Sequence, residues 1–269
     1  MPIRQLGRVS VDEDVVFAQG GGRDLRCDVF LPPEPGVGRA AILFVHGGAW
    51  SQGDRTQLRG YGIQLARYGF VCVCSEYRLS GEAIWPAQID DVQAALRWLR
   101  TNADQYGIDP GLISVSGNSA GAHLALMLAG LNCDDTNKST AVAAVVAIYP
   151  PTQLRVGDLD DAIGLLLGGN VSRQEEDAAS PISFARADFP PTMLVHGNID
   201  VVVPVEASFA MYHALRGVGA AVELHVFDGV GHAFDSEPAF GRQVADLTAL
   251  FLDRKVRQSG WQHGAVHAQ

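Results

Sequence analysis

One short segment places a serine in a pattern that is typical of nucleophilic catalysis. Residues 117–121 read GNSAG, a G-x-S-x-G pattern that directly follows the apolar run LISVS and directly precedes the apolar run AGAHLALMLAG. A serine between a strand and a helix lies on a tight, strained turn, and the flanking glycines leave room because they have no side chains. Ser119 is therefore the candidate nucleophile.

A second segment supplies backbone donors. Residues 46–50 read HGGAW and follow the apolar run AAILFV. Glycines at the end of a strand let bare amides approach a substrate oxygen, as in the oxyanion loops of lipases and esterases. We expect the amides of Gly48 and Ala49 to stabilise an oxyanion, together with the amide of Ala120 at the start of the next helix. His46 is interpreted as a scaffold residue of this loop.

Two later segments provide a base and an acid. The apolar run TMLV leads into HGNID, which ends at Asp200, and VELHVF leads into DGVGHAF, which contains His232. Both residues follow predicted strands, and active-site residues of open α/β sheets gather at that edge. We therefore expect His232 to accept the proton of Ser119 and Asp200 to orient the imidazole.

Several other acids and histidines are close enough in sequence to compete for these roles. Asp228 and Asp235 are too near His232 in the chain to reach its far nitrogen easily, and Asp188 precedes a strand rather than following one. The remaining histidines are interpreted as structural, because they fall within strands, helices or strand ends: His123, His196, His213 and His225.

Apolar runs alternate with helix-period segments along most of the chain, which predicts an α/β fold with a mainly parallel sheet flanked by helices. A leading hairpin is expected at 14–18 and 25–31. Residues 86–107 carry an apolar stripe at helical spacing, and 120–130, 204–217 and 238–255 give further helices. We expect one domain over 1–269, with a small helical excursion at 151–190 as a candidate lid and a frayed tail at 258–269.

Composition excludes several classes of function. The 269 residues carry a formal net charge of −10, which opposes binding to nucleic acids or anionic membranes. No segment is long and apolar enough to span a membrane, and no secretory signal is apparent, so we expect a cytoplasmic location. Cys72 and Cys74 lack a second ligand pair, so no metal or cofactor is expected. The sequence leaves the oligomeric state open, including a homodimer.

The segments HGGAW, GNSAG, HGNID and GHAF together resemble those of the hormone-sensitive-lipase-like esterases of the α/β-hydrolase superfamily. The sequence is also similar to the smaller feruloyl-esterase-like and kynurenine-formamidase-like members, over roughly residues 25 to 255. In such relatives the oxyanion donors correspond to the amides of Gly48, Ala49 and Ala120. Ala49 stands where such relatives commonly have the third glycine of HGGG, and Ala122 stands where a glycine is frequent after the serine motif. The long N-terminal cap helices of larger relatives have no counterpart, which argues against long-chain lipase activity.

The leading hypothesis is a cofactor-free serine hydrolase of small-molecule carboxylic esters that works through an acyl-enzyme. An arylformamidase that cleaves N-formylkynurenine-type amides is the alternative, and a catalytically inactive binding protein on the same fold is a remote one. Three rings are expected to wall the substrate site, namely those of Trp50, Tyr149 and Phe234. They favour short acyl groups and suit an aryl leaving group.

Overall fold

The protein contains one eight-stranded sheet, seen in a computed structural model that describes residues 3–131, 141–155 and 161–258. The spatial order of the strands is β1-β2-β4-β3-β5-β6-β7-β8. In chain order the strands are β1 (Ser10–Gly20), β2 (Arg23–Leu31), β3 (Arg39–Val45), β4 (Val71–Ser75), β5 (Ile108–Asn118), β6 (Val145–Ile148), β7 (Thr192–Gly197) and β8 (Val222–Phe227).

Strands β3 to β8 run parallel, as the alternation of strand and helix patterns predicts. The hairpin β1–β2 turns at Gly21 and Gly22, both in the left-handed region of φ that glycine tolerates, and β2 pairs antiparallel with β4. The prediction of an α/β fold with a mainly parallel sheet is therefore confirmed. The parallel arrangement brings the carboxyl ends of β3 and β5 to β8 to the same edge.

Eight α-helices lie in the described part of the chain. The apolar pattern does not indicate α1, which is weakly amphipathic, and the helical segment predicted at 86–107 forms two helices, α2 and the single turn α3. The helices are α1 (Arg59–Ala66), α2 (Ala87–Thr101), α3 (Ala103–Tyr106), α4 (Ala120–Leu131), α5 (Ala162–Leu167), α6 (Arg173–Ala178), α7 (Glu206–Gly217) and α8 (Pro238–Leu252).

The two faces of the sheet support separate hydrophobic clusters. In β3, Leu43 and Val45 pack on the face covered by α2 and α4, whereas Ile42 and Phe44 pack on the face covered by α1 and α8. A strand that is buried on both faces needs apolar residues at every position, which explains the continuous run AAILFV. Helix α4 is buried at every residue from Ala120 to 130, in agreement with its apolar sequence.

The segment between β6 and β7 is helical where it is described. It contains α5, α6 and a 3₁₀ turn at Pro181–Phe184, and its residues 156–160 lie outside the described residues. Helix α6 begins with a capping box in which Ser172 and Glu175 exchange hydrogen bonds between side chain and backbone. The predicted helical excursion at 151–190 is therefore confirmed.

Nowhere in the described ranges does a helix combine the length and the apolar character that crossing a bilayer requires. The predicted frayed tail, apart from Gln258, lies outside the described residues, and so does Cys133. Cys72 and Cys74 share one face of the sheet and are buried without a disulfide, as expected for small apolar side chains.

Candidate active site

Ser119 lies on a sharp turn between the end of β5 and the start of α4. Its backbone has φ of +52°, a left-handed conformation that is strained for a residue with a side chain. A Cβ atom on Gly121 would lie 2.0 Å from the carbonyl oxygen of Val45, and one on Gly117 would lie 2.4 Å from Gly121. Only glycine fits at these two positions, so the GNSAG pattern follows from close packing of the turn against β3.

The loop after β3 has an unusual backbone. Gly48, Ala49 and Trp50 all have positive φ, and a Cβ on Gly48 would lie 2.1 Å from the carbonyl oxygen of Gln52. The amides of Ser51 and Gln52 both donate to the carbonyl of Gly48, at 3.0 Å each. This turn fixes the loop beside Ser119.

The expected oxyanion donors are free to bind a ligand. Within the described ranges, the amides of Gly48, Ala49 and Ala120 donate to no protein acceptor. Unpaired amides are uncommon in folded proteins unless water or a ligand takes them. Their availability fits the expected role.

The structure brings Ser119, His232 and Asp200 into one hydrogen-bonded chain. Nε2 of His232 lies 2.9 Å from Oγ of Ser119, and Nδ1 lies 2.7 Å from Oδ2 of Asp200. A proton on Nδ1, held by the carboxylate, leaves Nε2 as an acceptor for the serine hydroxyl proton. Asp200 and Ser119 lie 32 and 113 positions before His232, and the strand ends of β5, β7 and β8 bring the three residues together.

Asp200 is almost fully buried and its oxygens are well satisfied. Oδ1 accepts from the amides of Val202 and Val203, at 2.9 Å each, while Oδ2 faces His232. Burial acts to raise the pKa of Asp200, but hydrogen bonds from His196, His232 and the Val203 amide together outweigh it. The pKa is held below its usual range, so the carboxylate stays ionised at neutral pH.

His196 is a neighbour of this chain that sequence reasoning missed. The ring is fully buried at the end of β7, with Nδ1 2.7 Å from Oγ of Ser208 and Nε2 2.8 Å from the carbonyl of Val203. Nε2 also lies 3.3 Å from Oδ2 of Asp200. The only signal in the sequence is the four-residue spacing from His196 to Asp200, which does not by itself distinguish a buried contact from a strand end.

The other histidines lie away from the chain of three. His123 is fully buried and bonded to the indole of Trp50 and the carbonyl of Ala179. His46 is buried beneath the glycine loop and stacks on Tyr77 with ring centroids 4.4 Å apart, which fits the expected scaffold role. His213 is exposed on α7, and His225 is half-buried in β8 beside Glu223.

The competing acids also have other partners. Asp228 accepts from the side chain of Asn198 at 2.7 Å, and Asp188 pairs with Arg186 at the surface. Asp235 accepts from the hydroxyls of Tyr61 and Tyr149. None of these three carboxylates bonds to His232 in the described structure.

Tyr149 lines the larger cleft and belongs to a hydrogen-bond network that the sequence does not reveal. Its ring lies 4.6 Å from the ring of His232, and its hydroxyl donates to Asp235 and accepts from the Asn118 side chain at 3.0 Å. Burial and the nearby charge of Asp235 raise the pKa of Tyr149, so the hydroxyl keeps its proton. Tyr149 therefore packs against His232 in a fixed orientation.

The other two rings differ in their relation to the site, because Trp50 lines one of the two clefts at Ser119 and Phe234 lines neither. Trp50 is fully buried, and its side chain packs edge-on against His123 rather than standing free in the site. Phe234 lines neither cleft at Ser119 and packs behind Tyr149, with ring centroids 5.8 Å apart. Phe234 supports the wall through Tyr149, and Trp50 forms the floor of one cleft.

Two clefts open from Ser119. The larger has a volume of about 840 Å³ and contains His232, Tyr149 and the glycine loop. The smaller has a volume of about 560 Å³ and is mostly apolar, with Ala120 on one side and α5 on the other. The side chains of α5 that line the smaller cleft are those of Ala162 and Leu165, so the helical excursion forms part of its wall.

The fold has counterparts among solved esterases. The native esterase 2 of the planctomycete Thermogutta terrifontis is 28% identical with a TM-score of 0.79, and the alignment covers 90% of this chain and 91% of that one. A truncated carbohydrate esterase from gut microbiota is 26% identical with a TM-score of 0.82, covering 93% and 97%. The domain thus has the α/β-hydrolase fold of these esterases, which confirms the resemblance seen in the sequence.

More narrowly, the chain belongs to the BD-FAE family, whose model matches residues 27–215. Among curated proteins it is similar to esterase LipQ of Mycobacterium tuberculosis, with 35% identity over 252 residues that cover 86% of this chain and 60% of the relative. Esterase LipC of the same organism is 34% identical, covering 84% and 60%. The chain spans about three fifths of the length of these curated relatives.

Proposed function

We propose that this protein hydrolyses short-acyl or aryl carboxylic esters, with Ser119 as nucleophile, His232 as base and Asp200 as orienting acid. The observation that carries the proposal is the continuous hydrogen-bonded chain from Asp200 through His232 to Ser119 on a strained turn. Because all three residues are present and hydrogen-bonded, the site also argues against an inactive binding protein on this fold.

Acylation follows from the positions of these atoms. Oγ of Ser119 attacks the ester carbonyl carbon while Nε2 of His232 takes the hydroxyl proton, and the carboxylate of Asp200 stabilises the resulting imidazolium. The carbonyl oxygen becomes an oxyanion beside the free amides of Gly48, Ala49 and Ala120. His232 then donates its proton to the leaving oxygen, which departs as the alcohol and leaves an acyl-serine.

Deacylation repeats the sequence with water. Nε2 of His232 takes a proton from the attacking water, and the resulting hydroxide adds to the acyl carbon of the acyl-serine. The tetrahedral intermediate collapses as His232 returns the proton to Oγ of Ser119. The free acid leaves and the resting hydrogen bond is restored.

The two clefts suggest where each half of the substrate binds. His232 must reach the leaving oxygen, and it lines only the larger cleft, so the alcohol half belongs there. The acyl half then extends into the smaller apolar cleft, whose wall of Pro151, Ala162 and Leu165 limits its depth. Structures of Thermogutta terrifontis esterase 2 with propionate and with butyrate, at 28% identity, support short acyl groups.

The experiment is a series of p-nitrophenyl esters from two to twelve carbons, run beside N-formylkynurenine on wild type and Ser119→Ala. We expect the highest kcat/KM at two to six carbons, and a loss of about a million-fold in Ser119→Ala with melting temperature unchanged. A serine-directed organophosphate should label wild type at Ser119. The matched control is Ser183→Ala, an exposed serine outside both clefts.

Three outcomes would contradict parts of the proposal. A tenth or more of wild-type activity in Ser119→Ala would exclude this nucleophile. Turnover that rises from four to twelve carbons would exclude the short-acyl preference, because each buried methylene would then be adding about 0.8 kcal/mol. A preference above about a hundredfold for N-formylkynurenine over the butyrate ester, roughly 2.7 kcal/mol at the transition state, would favour the formamidase.

A further inference from the structure

The larger cleft carries positive charge in an acidic protein. The chain has a formal net charge of −10, yet the guanidinium groups of Arg4 and Arg242 both belong to the lining of this cleft. Arg4 lies in the segment before β1, which is tied down where the amide of Gln5 donates to the carbonyl of Arg67 at 2.6 Å. Arg242 lies in α8, far from Arg4 in the sequence.

Neither arginine has an acidic partner within the described residues. Arg4 only stacks over the ring of Tyr68, 5.9 Å from its centroid, and Arg242 forms no ion pair. By contrast, Arg55 and Arg59 bind the buried carboxylate of Asp28. The two cleft arginines therefore keep their hydrogen-bond donors available for a ligand.

The single acid in the same lining is already committed. Asp235 has one carboxylate oxygen bonded to the hydroxyl of Tyr61 and the other bonded to the hydroxyl of Tyr149. Two guanidinium charges and one carboxylate leave the cleft lining with a net charge of +1. A ligand with one negative charge would balance it.

We propose that the natural substrate is an ester whose alcohol half carries a monoanionic group, such as a carboxylate, that binds between Arg4 and Arg242. This inference rests on the proposed function, since it takes the larger cleft as the site of the alcohol half. A planar guanidinium donates two parallel hydrogen bonds to a carboxylate, which gives both attraction and orientation. The negative field of the rest of the chain disfavours anions elsewhere on its surface.

The cleft volume fits this substrate class. About 840 Å³ is more than an aryl ring requires, so room remains beyond the ring for a charged substituent. Arg4 and Arg242 are not part of the proposed hydrogen-bonded chain at Ser119, so we expect them to bind the substrate and the transition state equally and to contribute to KM rather than to kcat.

The test compares two acetyl esters that differ in one charge, 4-acetoxybenzoate and 4-acetoxybenzamide. The kcat/KM ratio of anionic to neutral ester is measured for wild type and for the double variant Arg4→Gln/Arg242→Gln. Intrinsic reactivity cancels because each enzyme sees the same two esters. We expect the ratio to fall about three- to tenfold in the double variant, mainly through KM, as exposed ion pairs allow. The matched control is Arg216→Gln, an exposed arginine on α7 outside both clefts, which should keep the wild-type ratio.

Salt gives an independent measurement, because exposed ion pairs are screened as ionic strength rises. We expect the wild-type ratio to fall between 0.05 and about 0.5 M NaCl. The ratio of the double variant should stay flat or rise, because salt then screens only the repulsion between the anionic ester and the acidic remainder of the protein. A double variant within twofold of the wild-type ratio would overturn this inference while leaving the esterase proposal intact. If the wild type hydrolysed none of the three substrates, namely the two acetoxy esters and p-nitrophenyl acetate, both this inference and the esterase proposal would be overturned.

Discussion

His123 and His232 both lie close to Ser119, but the surroundings of the two rings differ in nearly every respect. His123 is one turn into α4, and its amide donates to the carbonyl of Ser119 at 3.0 Å. His232 comes more than a hundred residues later in the chain and reaches Ser119 through its side chain. The residue nearer in sequence is the one whose ring is turned away from the site.

The partners of each ring decide what it can do. Nδ1 of His123 accepts from the indole of Trp50 at 3.2 Å, and Nε2 donates to the carbonyl of Ala179 at 2.8 Å. A ring held between a fixed donor and a fixed acceptor has no nitrogen free to take a proton. His232 lies between a carboxylate and a hydroxyl, so it can gain a proton from one side and be stabilised from the other.

The largest difference is expected in turnover. His232→Ala should lower kcat by about a million-fold, because His232 is the one base bonded to Ser119 among the described residues. His123→Gln should keep activity within about tenfold, because a glutamine amide can accept from Trp50 and donate to Ala179. Steady-state rates on p-nitrophenyl butyrate check both variants, with circular dichroism to confirm folding.

A reversed outcome would contradict the assignment of His232 as the base. If His123→Gln abolished turnover in a folded protein while His232→Ala did not, the base would be His123. His225→Ala is the matched control, because this histidine is half-buried in β8 and its side chain pairs with Glu223 rather than with the site.

The next largest effect concerns the carboxylate that is bonded to His232. Asp200→Asn should lower kcat by about ten-thousandfold, because an amide does not hold the Nδ1 proton of His232 in the productive tautomer or stabilise the imidazolium. Asp228→Asn should leave kcat within about twofold, since Asp228 bonds to Asn198 and not to a histidine. The kcat values of both variants on the butyrate ester decide the matter, and equal losses would exclude Asp200 as the orienting acid.

The sequence predicts the strand–turn–helix framework and the loops that hold Ser119, Asp200 and His232. It succeeds there because residues that follow successive parallel strands must meet at one edge. It does not predict that His196 contacts Asp200, or that Asp235 joins Tyr61 and Tyr149. Those contacts depend on side-chain directions in loops, for which the apolar pattern contains no information.

The bulky rings illustrate the same difference at single residues. Trp50 ends the glycine loop, Tyr149 ends a predicted strand and Phe234 follows His232, so the sequence places all three rings at the substrate. In the structure only Tyr149 presents its ring to His232, because positive φ at Tyr149 turns its side chain at the end of β6. Burial of Trp50 and Phe234 follows from packing across the sheet edge, which is a property of the whole fold.

The smallest expected effect is a pH dependence of the free energy of unfolding that comes from the buried ring of His123. Burial lowers the pKa of His123 to about 4, against the bond to Ala179, which raises it. In the unfolded chain the ring titrates near 6.5, so between about 6.5 and 4 the unfolded state binds a proton that the folded state does not. The free energy of unfolding should therefore fall as pH falls through this window, by up to about 1.4 kcal/mol per pH unit.

His123→Gln removes this contribution to the pH dependence of unfolding, because glutamine does not titrate. Urea unfolding of wild type and variant at pH 7.5, 6.5, 5.5 and 5.0 should show the wild type losing about 2 kcal/mol more than the variant between pH 7.5 and 5.0. Other titrating groups cancel in the difference, since both proteins contain them. The matched control is His213→Gln, an exposed histidine on α7, which should follow the wild type. Parallel pH profiles for wild type and His123→Gln would mean that the folded protein protonates His123 as readily as the unfolded chain does, and the contrast with His232 would then have to rest on position alone.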